Sequence, residues 1–158
     1  MIHGDLLGER ARLTPDKTAL VFVPTGARFT YRELDRRAAR AAAAWLGPLG
    51  LRPGDRIGLL AHNRPEFLDC FFAAGKSGVV LVPLGTRLLP RELEHVVRDS
   101  GMKALVYDGA LAETVRGLQA LASLDCWISL DEPAAPSDQT WSDVLSLTPD
   151  PGPRTPSP

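Results

Sequence analysis

The sequence predicts an α/β fold: a layered, largely parallel sheet with helices on its faces. Two observations point there. Short apolar runs alternate with stretches of helical periodicity at the spacing of βαβ units. The helical stretches also open on capping residues and end near glycine, so their limits are marked chemically as well as by pattern. Crossovers between parallel strands are right-handed, which lays the helices on the sheet.

Thr18 to Val23 (TALVFV) is an apolar run between Asp16-Lys17 and the turn Pro24-Thr25-Gly26, and reads as a strand with a hairpin-like return through Arg28-Phe29. Thr30 begins "TYRELDRRAARAAAAWLGPLG". Its hydroxyl can cap the first amides while Glu33 reaches back, the two halves of a capping box. Leu34, Ala38, Ala41, Trp45 and Leu49 then form one apolar stripe, with Arg32, Asp35, Arg36 and Arg40 on the other face, until Gly47-Pro48. Pro53-Gly54-Asp55 turns the chain into a buried strand, Arg56 to Ala61.

In "HNRPEFLDCFFAAGKSG", Asn63 is the expected helix cap, Pro65 occupies the first turn and Glu66 lies three residues after the cap. Phe67, Leu68, Phe71, Phe72 and Ala74 make a broad apolar surface. A strand at Val79 to Val82 follows, then a helix opened by Pro90 and Glu92, with Leu93, Val96 and Val97 inward, and stopped by Gly101. Ala104 to Tyr107 is a strand, Asp108 to Leu121 helical, and Cys126 to Leu130 a further strand. The domain is expected over residues 1–130. Residues 131–158, which hold half of the fourteen prolines, are expected to be a mostly irregular tail in which one helical turn around Trp141 docks and nothing from Thr148 onward packs.

Composition excludes several classes. A chain of 158 residues with net charge -1 and 23% charged residues has neither the basic excess of a nucleic-acid binder nor an acidic tail. Cys70 and Cys126 sit in apolar stretches without ligand spacing, so no disulfide framework or zinc site is expected. The opening "MIHGDLLGERARLTPD" is too charged for a signal peptide, and no apolar window approaches the ~18 residues of a membrane span. A cytoplasmic protein with no membrane span is the expectation.

Gly75-Lys76-Ser77 spells the end of a phosphate-binding loop, but its context fails. Cys70, Phe71, Phe72, Ala73 and Ala74 precede it, so the first glycine of that loop is missing. A helix also ends there rather than begins, and presents carbonyl oxygens that repel phosphate. Lys76 reads instead as a cation near a helix C-terminus, with Gly75 and Gly78 serving termination and packing. His3, His62 and His95 share no ligand spacing. His62 and Asn63 lie just past a strand's carboxyl end, where open α/β sheets bind ligands, and Arg87 lies in the next loop at the same edge. Capping accounts for Asn63 and solvation for Arg87. No GxGxxG, serine elbow, HExxH or paired-carboxylate pattern appears.

With the elements placed, "LTPDKTALVF", "FTYRELDRRAARAAAAWL" and "LGLRPGDRIGLLAHNRPEFLDCFFAAGKSGVVLVPLGTRLLPRELEHVVRDSGMKALVYD", in that order, resemble the N-terminal portion of the adenylate-forming acyl-CoA synthetases and related AMP-binding ligases. The resemblance runs from about Leu13 to about Leu121 and implies the N-terminal subdomain of that fold. Gly85 and Leu89 depart from the family's asparagine and helix-capping hydroxyl.

Enzymes of this kind use ATP, magnesium and coenzyme A to turn a carboxylic or fatty acid into an acyl-adenylate and then a thioester. Their Ser/Thr/Gly-rich nucleotide loop and later acidic, arginine and lysine residues have no match here, so the resemblance assigns this chain no catalytic, cofactor-binding or metal residue. It implies a catalytically incomplete piece of a ligase, truncated or split, whose partner is the missing remainder as a separate chain or a second copy bound through exposed apolar surface. An interaction module without ligase activity is the alternative, and a small nucleotide-binding α/β protein a weaker third.

Overall fold

A computed structural model describes residues 5–149. His3 and the end of the proline-rich tail lie outside the described residues. The described residues open with α1 (Leu6–Leu13), a helix that the charged sequence around it does not mark; Asp5 caps it, Oδ1 accepting from the Gly8 amide at 3.0 Å. The hairpin β1 (Thr18–Phe22) and β2 (Ala27–Thr30) pairs antiparallel and forms a sheet of its own. Thr30 and Glu33 form the expected capping box at the start of α2 (Tyr31–Leu46).

Then come β3 (Arg56–Leu60), α3 (Pro65–Ser77), β4 (Val80–Pro83), α4 (Pro90–Ser100) and β5 (Ala104–Tyr107). A single 3-10 turn, Gly109–Leu111, leads into α5 (Ala112–Gln119), so the helix expected from Asp108 starts later and in two pieces. The described chain closes with β6 (Cys126–Ser129), β7 (Gln139–Thr140) and α6 (Trp141–Ser146). The five-stranded sheet is parallel throughout, in the order β4-β3-β5-β6-β7.

That order explains the layers. The chain steps from β3 to β4 in one direction, then returns past β3 to β5 in the other. With a constant right-handed crossover, reversing direction moves the connecting helix to the opposite face. Alternate strand residues record this. Ile57, Leu59, Val106 and Ile128 face α2, α3 and α6, whereas Leu60, Leu105 and Tyr107 face α4 and α5. Gly58 lies on the second face, where a Cβ would stand 2.5 Å from Leu105 Cδ1 and 2.6 Å from Met102 Sδ. Gly78 and Gly101 end α3 and α4 at φ 74° and 62°, conformations that disfavour any residue with a Cβ.

A third, smaller cluster joins α1, α2 and the hairpin through Leu7, Leu34 and Ala38, with Leu20, Phe29 and Phe72 packed against it. On α3 the expected apolar surface is shared out differently: Cys70 and Ala73 are buried, while Phe71 is 56% exposed. Asp35 and Asp69 are buried charges, and both exist to meet a cation on a neighbouring helix. Packing continues past Leu130. β7 pairs with β6, α6 buries Trp141 and Val144 against the sheet, and Thr148 is still buried. No helix of the described residues is long and apolar enough to cross a membrane.

Candidate functional site

Because β4 and β5 lie on opposite sides of β3, the crevice between the carboxyl ends of β3 and β5 is the topological switch point of the sheet. Three loops deliver polar residues there: His62, Asn63 and Arg64 after β3, Asp108 after β5, and Asp131 after β6. An open cleft of about 470 Å³ lies over this edge. Its apolar wall is Phe22, Ala27 and Phe29 of the hairpin; its polar wall includes His62, Arg64 and Asp108.

Arg64 organises the polar wall. Its Nη1 and Nη2 donate to the two oxygens of Asp131 at 2.7 and 3.1 Å, Nε donates to Glu66 at 2.9 Å, and Nη1 also reaches Asp108 at 3.4 Å. The Asp131 bonds hold the guanidinium firmly protonated and, in return, hold Asp131 below the usual carboxylate range. Burial pushes Asp108 up, but the Ala110 amide, His62 and Arg64 together pull it further down. Asp108 Oδ2 lies 3.0 Å from Nδ1 of His62, a half-exposed imidazole that lines the cleft. The Gly109 amide donates to Asp131 and the Ala110 amide to Asp108, so both aspartates also fix the turn after β5.

This corrects the capping assignment. Arg64, not Asn63, is the N-cap of α3, and it makes no side-chain cap bond. Glu66, read as the return half of a cap, binds Arg64 instead. Asn63 is exposed on the cleft rim, whereas Arg87 is exposed in the loop between β4 and α4 and does not line the cleft. Sequence reasoning missed Arg64, Asp108 and Asp131. A signal was available for the aspartates, since each stands one or two residues beyond a strand's carboxyl end.

The phosphate groups of ATP or coenzyme A do not fit the residues here. Arg64 is surrounded by three carboxylates, which outnumber it and leave the group with an excess of negative charge. Lys76, in the last turn of α3, has a side chain only 3% exposed and is bound by Asp35 and, at 2.6 Å, by Asp5. Its role is thus an interior ion pair joining α3 to α2 and the start of α1, a firmer duty than the helix-end cation expected. The described geometry can fix loops and shape a cleft, and the one cation in the cleft lining, Arg64, is engaged by carboxylates.

Comparison with known proteins identifies the family. The chain is 45% identical over 111 residues to the feruloyl-CoA synthase of an Amycolatopsis species, covering 70% of this chain and 22% of that enzyme. It is 36% identical over 132 residues to the long-chain-fatty-acid–CoA ligase FadD13 of Mycobacterium tuberculosis, covering 81% of this chain and 26% of that enzyme. The crystal structure of the N-terminal domain of FACL13 from Mycobacterium tuberculosis superposes with a TM-score of 0.83 at 30% identity, covering 98% of this chain and 38% of that one. The chain therefore spans about a quarter of the length of the curated relatives it matches. The family model described as AMP-binding enzyme matches residues 7–158, and the chain belongs to that family through its N-terminal part.

Proposed function

We propose that this chain is the N-terminal scaffold of an ATP-dependent acid–CoA ligase, and that adenylation and thioester formation are carried out by residues that these 158 positions do not contain. One observation supports this above all. The match extends along 70% to 81% of the chain yet covers only 22% to 26% of the related ligases, while Arg64, the cation that lines the cleft, is already engaged by carboxylates. Stabilising the charge that develops during adenylation requires preorganised cations or metal near the reacting phosphate.

The α/β subdomain then runs past the boundary expected at Leu130 and takes in β7 and α6, which join its sheet and core. The partner is the remainder of the ligase. Cytoplasmic residence belongs to the same proposal and is supported by the unpaired Cys70 and Cys126.

The test is pyrophosphate release from ATP with ferulic acid and a series of fatty acids. The 158-residue chain alone is expected to give none. A chimera in which it replaces the matching segment of the Amycolatopsis feruloyl-CoA synthase is expected to form feruloyl-CoA. Turnover by the chain alone refutes the scaffold role, and a folded chimera without activity refutes the ligase assignment.

A further inference from the structure

The hairpin β1–β2 is an unfinished sheet. Neither strand pairs with a third among the described residues, and none of its nine residues is buried. One face packs Leu20 and Phe29 against α1 and α2. Val21, out of phase with Leu20, is 41% exposed, and Val23 at the turn is 83% exposed. An isolated two-stranded ribbon is marginal in water, and an unprotected edge with exposed β-branched residues invites another strand. Arg28, opposite Val21, is the only charge within the two strands.

We propose that the ribbon is the docking surface for the remainder of the ligase chain, which adds a strand to its free edge and covers Val21 and Val23. The inference rests on the scaffold assignment above. Two observations select this occupant. The solved N-terminal domain that this chain matches at 98% coverage is more than twice as long as the chain, so most of that domain lies outside it. The five-stranded sheet, by contrast, has both its faces covered by helices of this chain, and among the described residues the ribbon is the sheet covered on one face only. Main-chain pairing at an open edge supplies affinity without demanding a particular side-chain sequence, which suits a contact between two parts of one fold.

Hydrogen exchange tests this on the 158-residue chain and on the folded feruloyl-CoA synthase chimera. Amides of Thr18–Phe22 and Ala27–Thr30 are expected to exchange at least about tenfold more slowly in the chimera, whereas those of β3 and β5, already paired on both sides, change less than about twofold. The V21K/V23K variant is expected to lower the melting temperature of the chimera and leave that of the lone chain nearly unchanged. Equal ribbon exchange in both proteins, or equal effects of the substitutions, overturns the proposal. Ribbon protection that arises in the lone chain as its concentration is raised, with a matching increase in mass by sedimentation, makes a second copy the occupant and overturns it too. The two ideas fail separately: an active chimera with an unprotected ribbon removes only the docking surface, and a folded, inactive chimera with a protected ribbon removes only the ligase assignment.

Discussion

Arg37 on α2 grips Asp69 on α3 with two parallel bonds, Nε to Oδ1 at 2.9 Å and Nη2 to Oδ2 at 2.6 Å. Burial pushes the Asp69 carboxyl up and outweighs the pull of Arg37, while the guanidinium, despite its own burial, is held more firmly protonated by Asp69. The two responses differ because Asp69 lies deeper, its side chain 4% exposed against 34% for Arg37. Removing Arg37 alone strands a buried carboxylate, so Arg37→Met is expected to cost about 3 kcal/mol. The R37M/D69L variant removes both charges and is expected to recover most of that loss. Urea unfolding over the double-mutant cycle checks it; simple additivity of the two single losses would show that the residues do not act as a pair.

Lys76 yields a prediction that separates structure from nucleotide chemistry. Lys76→Met leaves Asp35 buried without its cation and is expected to destabilise the chain by about 3 kcal/mol. The shift in melting temperature produced by ATP and magnesium is expected to be the same, near zero, in both proteins. A ligand that binds only the folded state at a hundred times its Kd stabilises by about 2.7 kcal/mol, so a Lys76-dependent site would be plain in thermal scans.

The Arg64 clasp makes stability depend on acid. Asp131 and Asp108 both lie below the ordinary aspartate value of 3.8. A carboxylate whose folded pKa is depressed contributes stability above its unfolded pKa and loses it as pH falls through the folded one. Arg64→Gln is therefore expected to be less stable than the parent at pH 7, with the gap closing below about pH 4. Asp69 has the opposite sign, since its raised pKa gives a contribution complete at low pH and lost as pH rises. It is common to both proteins and cancels in the comparison. Urea midpoints at several pH values measure the gap, and a constant gap contradicts the assignment.

Tyr107 ends β5 and fastens the loop before β7. Its hydroxyl donates to Asp138 at 2.6 Å and accepts from the Ala134 amide at 2.6 Å, while Gln119 steadies Asp138 from α5. Burial first, then the Asp138 bond, pushes the phenol up to about 12. Tyr107→Phe leaves the buried Ala134 amide without its acceptor, at a cost of about 2 kcal/mol. Limited proteolysis is expected to cut residues 131–138 of the variant faster than those of the parent, and an unchanged cleavage rate would place the loop's anchorage elsewhere.

How far the sequence foretold all this depends on the range of each interaction. The Thr30–Glu33 box, Pro65 in the first turn and the glycine stops at Gly78 and Gly101 act within a few residues, and each was legible. So was the alternation that builds the parallel sheet. Arg64 was not, because its two aspartate partners stand 44 and 67 residues away and Glu66, two residues on, reads as part of a helix start. Asp35 looked like a solvent-face residue on a helical wheel; only the arrival of Lys76 from α3 makes its burial tolerable. The short β7 was also hidden, since Gln139–Thr140 has no strand pattern and exists by pairing with Ile128 and Ser129. The cleft inherits this limit: its location follows from strand order, but its charge follows from pairings that only folding reveals.

Trp45, fully buried between α2 and the sheet, has an indole Nε1–H with no hydrogen-bond partner among the described residues. An unpaired buried donor costs about 1 to 3 kcal/mol, which offsets part of what the large ring contributes by packing. Trp45→Phe removes the donor and keeps most of the apolar surface. It is expected to stay within about 1 kcal/mol of the parent, whereas Trp45→Ala, which empties the site, should lose about 4 kcal/mol. Urea unfolding of the two variants gives the comparison. If Trp45→Phe instead loses more than about 2 kcal/mol, the indole N–H is satisfied by a buried water, and the pocket around it is polar rather than dry.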